Sequence, residues 1–307
     1  MIRSLSSGVS GLRSHQVRMD VIANNIANVN TTAFKSGRVN FQEVLSQNIR
    51  GDSVSLVGVD SVNPAQIGLG VAVQSIDTLF SQGAPATTNR VLDIMVDGNG
   101  FFRLAKYSGD QIIEYYYTRD GAFYVTNDGY LVNAAGLYVL GVGADETSWL
   151  DGNAITEVIN GEYEVAADFP GERIRLFDPE ADGTGDMPNN LTTLRIDSNG
   201  LVFVNGRTDR AALILLDNYT NVENLVRLGG NLYEVPLDGD IPHSDGWGVP
   251  GSAGGQGKLI SGALEMSNVD LSTEFANMIT TQRGFQANAR VITVSDEMLS
   301  ELINLKR

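Results

Sequence analysis

The chain has 307 residues, and its 37 acidic side chains outnumber the 21 basic ones, which gives a net charge of −16. This balance disfavours nucleic acid as a partner, because binding to phosphates requires a basic surface. Glycine is frequent, with 34 residues, and only 19% of the residues are charged, a mixture typical of a turn-rich β protein. No apolar run approaches the ~20 residues of a membrane-spanning helix, so we expect no membrane insertion.

The absence of cysteine excludes disulfides, thiolate nucleophiles and zinc–cysteine sites. The first residues contain no continuous apolar region of the kind that a cleavable secretory signal needs. The protein is therefore expected either to stay in the cytoplasm or to be exported by a pathway that recognises a different kind of signal.

Both ends of the chain carry apolar residues at intervals of three and four, which predicts a helix at each end. The apolar positions are Ile2, Leu5, Val9, Leu12, Met19, Ile22 and Ile26 at the start, and Leu271, Phe275, Met278, Phe285, Ala289, Ile292, Leu299 and Ile303 at the end. A second stripe, formed by Met298, Leu302 and Leu305, accompanies the last of these. Such narrow stripes are typical of a coiled-coil seam, and helices this thin need a partner. Packing on a domain core is the alternative. The opposite faces are polar and can hydrogen-bond to other subunits. They carry Ser6, Ser7, Ser10, Ser14, Thr280, Thr281, Gln286 and Asn288.

The middle of the chain is predicted to be β structure over residues 71–142 and 190–237. Hairpins are indicated by the Asn127-Asp128-Gly129 and Asn199-Gly200 sequences, which tolerate the positive φ angles of tight turns. The continuous apolar run 211–216 predicts a strand buried on both faces.

The predicted fold is thus a mainly β core domain with a discontinuous α-helical coiled-coil domain formed by both termini, and with a small β/loop insertion. The expected domains are a terminal helical domain (1–30 and 270–307), an extended connector (31–70 and 255–269), a β-rich core (71–142 and 190–254) and an acidic outer insertion (143–189).

Residues that would support catalysis are scarce. His15 and His243 are the only histidines, and neither has the spacing of a metal ligand. Asp178, Glu180 and Asp182 precede Gly183 as in a calcium loop, but Asn189 stands where that loop needs a bidentate carboxylate. A solvated turn is therefore favoured over a metal site. We expect no enzyme activity, no cofactor and no metal.

Several segments together resemble the bacterial flagellar rod–hook axial proteins. The first is ANNIAN at 23–28, which continues into VNTTAFK at 29–35, and the second is GALEMSNVDL at 262–271. The remaining matches are Glu274, Phe275, Met278, Ile279, 282–288, 117–121 and 129–132. They span most of the chain except 143–190. Ala33 departs from the family pattern, which usually has glycine there.

Within that family the resemblance is strongest to a flagellar hook subunit, and it rests on the last 40 residues and on residues 63–71. The alternative is a distal rod subunit, which would form part of a rigid drive shaft. The resemblance implies a helical tubular polymer that acts as a flexible coupling between motor and filament. Its implied partners are copies of itself, the rod, the hook cap, the hook–filament junction and the flagellar type III export apparatus, and its location is extracellular, without a cleavable signal peptide.

The residues expected to form the assembly interface lie on the two terminal helices. They are Leu5, Val9, Leu12, Met19, Ile22, Asn24, Asn25, Ile26 and Asn28, followed by Leu271, Phe275, Met278, Gln282, Phe285, Ile292, Leu299 and Ile303.

Two other functions remain open on the sequence alone. A secreted β-rich adhesin would bind its ligand through the insertion and would stay monomeric. A calcium-dependent enzyme acting on polysaccharides would use Asp178, Glu180 and Asp182.

Overall fold

The computed structural model describes residues 2–50, 65–109, 111–142, 155–159, 162–165, 172–177, 191–206, 211–219, 221–235, 243–251 and 255–305. The described chain is mainly β, with helix α1 (Ile2–Ala27) near its start and helix α2 (Leu271–Leu305) near its end. The prediction of a β-rich protein with a helix at each end is confirmed. Asp270 caps the start of α2, since its carboxylate accepts hydrogen bonds from the Ser272 amide at 2.9 Å and the Thr273 hydroxyl at 2.7 Å.

The strands are short and follow one another along the chain. They are β1 (Gly37–Glu43), β2 (Ser46–Arg50), β3 (Ala65–Gly68), β4 (Val71–Thr78), β5 (Pro85–Thr87), β6 (Ile94–Asp97), β7 (Phe101–Ser108), β8 (Gln111–Thr118), β9 (Tyr124–Val125), β10 (Leu131–Val132), β11 (Tyr138–Val142), β12 (Ile155–Ile159), β13 (Glu162–Val165), β14 (Glu172–Arg173), β15 (Leu194–Ile196), β16 (Leu201–Val204), β17 (Ala211–Ile214), β18 (Leu216–Tyr219), β19 (Val226–Gly229), β20 (Leu232–Glu234), β21 (His243–Gly248), β22 (Lys258–Ser261) and β23 (Ala263–Glu265). A 3-10 turn spans Val222–Asn224.

The chain divides into two compact units. The first consists of residues 1–29, 35–79 and 269–307, and the second of residues 30–34 and 80–268. Both helices and strands β1 to β4 belong to the first unit, in which β1 pairs antiparallel with β4 from Gly37↔Thr78 to Glu43↔Val71. The division into four domains drawn from the sequence stays a prediction.

The second unit is built around a large sheet. Among the described residues, its central order is β15-β16-β17-β11-β7-β8-β20-β19, and every pairing along it is antiparallel. Large apolar side chains from several strands are fully buried in it, including Phe102, Leu104, Val139, Ile214 and Leu216. Burial of this many apolar side chains supplies this unit with a core of its own.

Both predicted hairpins are confirmed. Strands β9 and β10 pair through the turn that contains Gly129, and β15 pairs with β16 through the turn that contains Gly200. Gly129 has a φ of +86°, and a Cβ at this position would clash with the Phe177 carbonyl oxygen. A side chain is therefore excluded there both by backbone conformation and by space.

Residues 212–216 of the apolar run are buried as expected, but the run does not form one strand. It divides at Leu215 into β17, which pairs with β16 and β11, and β18, which pairs with β7 and β21. The prediction of one continuous strand is wrong, because hydropathy reports burial and does not report which neighbour a strand pairs with.

Of the predicted insertion, the structure describes only parts. Strand β12 pairs with β13, and β14 pairs with β11. Asp178, Glu180 and Asp182 lie outside the described residues.

Residues 30–34 belong to the second unit and contain a strained position. Ala33 has a φ of +54° and is 1% exposed, and its amide donates to the Glu265 carbonyl oxygen at 2.8 Å. The Glu265 carboxylate is also buried, where it accepts from the Gly83 amide at 2.9 Å and lies 3.6 Å from Arg119 Nε. The left-handed conformation of Ala33 explains why glycine suits this position in the family that the sequence resembles.

Replacing Ala33 with glycine is expected to leave the free energy of unfolding within about 1 kcal/mol of its original value. Relief of the left-handed conformation is worth about 1–2 kcal/mol. This gain offsets a lost buried methyl group of about 0.8 kcal/mol and a more flexible unfolded chain of about 0.4–1 kcal/mol.

Ala105→Gly is the matched control, because Ala105 is equally buried but lies in β7 without a positive φ. It lacks the strain relief and is expected to be more destabilising than Ala33→Gly by about 1–2 kcal/mol in chemical denaturation. Equal losses in the two variants would contradict strain at Ala33.

Candidate assembly interface

The two helices run antiparallel and contact each other through small and polar side chains. A Cβ on Gly11 would lie 2.6 Å from Asn288 Nδ2, one on Gly284 would lie 2.7 Å from His15 Cε1, and one on Gly8 would lie 3.2 Å from Ile292 Cγ1. The hydroxyl oxygens of Ser4 and Ser295 are 3.4 Å apart. We call this contact the helix seam, formed by Ser4, Gly8, Gly11, His15 and Arg18 of α1 and by Asn277, Thr281, Gly284, Asn288, Ile292 and Ser295 of α2.

The residues of α2 that the chain buries are seam residues. Thr281 and Ser295 are 1% and 2% exposed, and each hydroxyl donates to a carbonyl of its own helix at 2.7 Å, from Asn277 and Val291 respectively. Their small side chains are hydrogen-bonded locally, so they allow close approach without leaving an unsatisfied polar group.

A second face of α1 packs on the β1–β4 pair. The Val71 amide donates to Ser10 Oγ at 3.3 Å, and Ser14 Oγ donates to the Val71 carbonyl oxygen at 3.4 Å. The sequence pattern assigns these serines to contacts with other subunits, yet here they bond to β4 of the same chain. Thr281 and Asn288 likewise lie in the intramolecular seam.

Asn25 joins three elements of the first unit. Its amide nitrogen donates to the Gly37 carbonyl oxygen at 2.9 Å and to Glu274 Oε1 at 3.0 Å, and its carbonyl oxygen accepts from the Gly37 amide at 2.9 Å. The side chain is 2% exposed. Asn25, expected at a subunit interface, thus ties α1 to β1 and to α2 within one chain.

Most of the predicted interface residues of α2 lie exposed on the molecule. Leu271, Phe275, Phe285 and Ile303 are between 37% and 66% exposed. Gln282 is exposed too, whereas Met278, Ile292 and Leu299 are half-buried, Ile292 against Gly8. The apolar stripe of α2 therefore has little cover from its own chain.

The predicted residues of α1 are more covered. Ile22 is buried, Leu5, Val9, Leu12, Met19 and Ile26 are half-buried, and Asn24 is exposed. Asn28 is half-buried, and its side chain donates to the Asn24 carbonyl oxygen at 3.0 Å, which covers the end of the helix.

Apolar periodicity alone does not reveal the seam, because its closest contacts involve glycine, serine, asparagine and histidine. The available signal is Gly8 and Gly11 inside a helix, together with Gly284 in α2. Glycine in a helix costs about 0.5–1 kcal/mol relative to alanine, so its presence indicates a packing reason.

His15 lies in the seam between several neighbours. Its ring is 5.9 Å from that of Phe41 in edge contact, and it faces Gly284. Burial, with the Arg18 charge as a smaller cause, lowers the pKa of His15 below its usual value of 6.5. The packed helices therefore favour the neutral imidazole.

Gly11→Leu is expected to destabilise the helix pair by about 1–3 kcal/mol, because a large side chain cannot fit against Asn288. The thermal midpoint of the helical circular dichroism signal in the assembled protein measures this loss. Ala23→Leu, on an exposed part of α1, is the control and should leave the midpoint almost unchanged. Equal midpoints for Gly11→Leu and the unchanged protein would contradict the seam.

Acid is expected to weaken the helix pair through His15. The folded state disfavours the protonated imidazole, so the unfolded chain binds the proton more readily. The contribution of His15 is complete above about pH 7 and is lost as the pH falls through about 6.5, the unfolded pKa. Melting midpoints measured between about pH 7.5 and 5.5 should fall, and His15→Gln should flatten this part of the profile. An unchanged slope in His15→Gln would assign the effect to other groups.

Two features of other functional classes were sought in the part of the chain that the structure describes. There, no three His, Asp or Glu side chains lie together as metal ligands. Neither described helix is long and apolar enough to cross a membrane.

Comparison with known proteins supports the family resemblance along the whole chain. Residues 5–35 match the flagella basal body rod protein model, residues 95–204 the flagellar hook protein FlgE/F/G D1 domain, and residues 260–305 the flagellar basal body rod FlgEFG protein C-terminal model. The chain is 39% identical to the flagellar basal-body rod protein FlgG of Bacillus subtilis over 310 aligned positions, covering all of both chains.

Hook proteins are also similar. The chain is 31% identical to the flagellar hook protein FlgE of Borreliella burgdorferi over 451 aligned positions and 29% identical to that of Treponema pallidum over 472, again with full coverage of both chains. These are structural proteins of the flagellum and not enzymes. The chain matches the family's amino-terminal, central and carboxy-terminal segments, and it is 39% identical to one rod protein over its full length. These matches show that this chain belongs to the flagellar rod and hook family of axial proteins.

Proposed function

We propose that this chain is a structural subunit of the flagellar basal-body rod, which polymerises through its two terminal helices. The observation that carries the proposal is the exposed apolar surface of α2, where Phe275 and Ile279 are 51% and 52% exposed. Fully burying one such side chain is worth about 1.5–3 kcal/mol, so a helix with several of them gains much of its stability from neighbours.

The geometry favours an open array over a closed pair. The seam already occupies the small-residue faces of both helices within each subunit. In the array that we propose, one surface of a subunit therefore contacts a different surface of its neighbour. Such heterologous contacts continue into helical filaments. In this proposal the paired helices of many subunits form a coiled-coil-like inner layer, with the other rod and hook proteins as axial partners.

The rod is preferred over the hook because of chain length. The alignment to the Bacillus subtilis rod protein needs 310 positions for 307 residues, so the two chains correspond almost residue for residue. The hook alignments need 451 and 472 positions, so those hook proteins carry long segments that have no counterpart here. Because this chain lacks those segments, we assign it to the rod, a rigid shaft, in preference to the hook.

The hook, which the sequence motifs favour, is the second candidate. The observation that supports it is the identity of 31% to a hook protein, equal to or above the 29–31% of several rod proteins. Under either assignment, the subunit would leave the cytoplasm through the flagellar type III export apparatus and function outside it.

Electron microscopy of concentrated purified protein tests the proposal. We expect straight tubes for a rod subunit and curved tubes for a hook subunit. Phe275→Ser combined with Ile279→Ser should prevent assembly, because it removes apolar surface that only neighbours cover.

The matched control replaces two equally exposed apolar residues of the second unit, Ile113 and Val226, with serine. They are 54% and 49% exposed, so the same surface is lost without touching the helices. This control should assemble normally. Assembly of the helix variant at the original protein concentration, or a full-length chain that stays monomeric, would contradict the proposal.

A further inference from the structure

The first unit contains an apolar groove on the side of α1 that faces away from the helix seam. Leu5, Val9 and Val17 of α1 line it, together with Val44, Val71 and Val73, and its volume is about 570 Å³. Helical spacing places Val9 and Val17 between about 120° and 160° around the helix from the seam residues Gly11 and His15. The chain's own α2 contacts the seam side of α1, so it does not fill this groove.

The basic residue that lines this groove is Arg13. Helix α1 as a whole carries Arg3, Arg13 and Arg18 against a single acidic residue, Asp20. A segment that fits the groove must therefore combine an apolar stripe with carboxylates along its edge.

The second stripe of α2 has that combination when it is followed back from Leu302 and Met298 to Val294 and Val291. Val291, Val294, Met298 and Leu302 are spaced by three and four residues and are between 43% and 51% exposed. Glu297 and Glu301, four residues apart, lie along one edge of this stripe. Residues 291–305 carry three carboxylates and no basic side chain, ahead of Lys306 and Arg307.

We infer that the groove of α1 receives the second stripe of α2 from another copy of this chain, with Arg13 beside Glu297 and Glu301. This inference rests on the proposed polymerisation and names the surfaces that meet. It gives the contact a direction, since each copy offers a groove to one neighbour and a stripe to another. A contact of this kind propagates along a filament.

Charge reversal is the first arm of the test. Arg13→Glu in the full chain is expected to raise the critical concentration for polymerisation at least tenfold, because like charges then face each other. Adding Glu297→Arg and Glu301→Arg to that variant should restore most of the loss. Lys106→Glu, a charge reversal at an exposed position of the second unit, should leave the critical concentration within about twofold of the original, as distant surface charges are screened.

Cross-linking is the second arm, and the cysteine-free chain suits it. A Val9→Cys variant and a Met298→Cys variant are mixed, polymerised and oxidised. A covalent dimer of the two variants is expected in the polymer and not in dilute protein. Thr293→Cys replaces Met298→Cys in the control, because Thr293 is exposed on a different face of α2 and should give several-fold less dimer.

The outcomes separate the inference from the function on which it rests. Polymers in which the Met298 pair cross-links no better than the Thr293 pair, and in which the charge swap restores nothing, would overturn the groove assignment and leave the rod subunit intact. Failure of the full chain to polymerise at all would overturn both.

Discussion

The first unit depends on how closely its two helices approach. Glycine and serine line the contact, so the backbones come near enough for Asn288 to fill the space beside Gly11 and for His15 to fill that beside Gly284. Close approach through small residues uses the faces that bury little apolar surface. It leaves Phe275, Ile279 and Met298 pointing away from the chain's own partner helix. The first unit thus has small and polar residues where its two helices meet and exposed apolar side chains elsewhere on α2.

The second unit follows the opposite rule. Phe102, Leu104 and Leu216 are fully buried within one sheet, as in an ordinary independent domain. Even its charged groups are paired inside, since Arg103 donates to Asp217 at 2.9 Å while Tyr219 donates to the same carboxylate at 3.2 Å. This unit therefore needs no neighbour to complete its core.

Residues of the motifs that identify the family contact one another in the second unit. Ala33 and Glu265 come from two of these motifs, and they meet at 2.8 Å through their backbones. Buried Glu265 also holds Gly83 and lies beside Arg119. A carboxylate inside the protein is tolerated only with such partners, so the motif residues around it are constrained together. These shared contacts explain why the two motifs indicate the family from the sequence alone.

Several features could be predicted from the sequence because they depend on local physics. Periodic apolar residues predicted the two helices, and the Asn-Asp-Gly and Asn-Gly sequences predicted the hairpins, since each feature is governed by residues close to one another along the chain. The apolar stripe of α2 was likewise evident in the sequence.

The tertiary structure decided which face of each helix is buried within the chain. Which face of each helix is shared within the chain depends on steric fit between Gly11, Gly284 and residues more than two hundred positions away, and periodicity carries no information about fit. For the same reason Asn25, Ser10 and Ser14 turned inward to Gly37, Glu274 and Val71, because a polar side chain bonds to whichever partner the fold brings within reach.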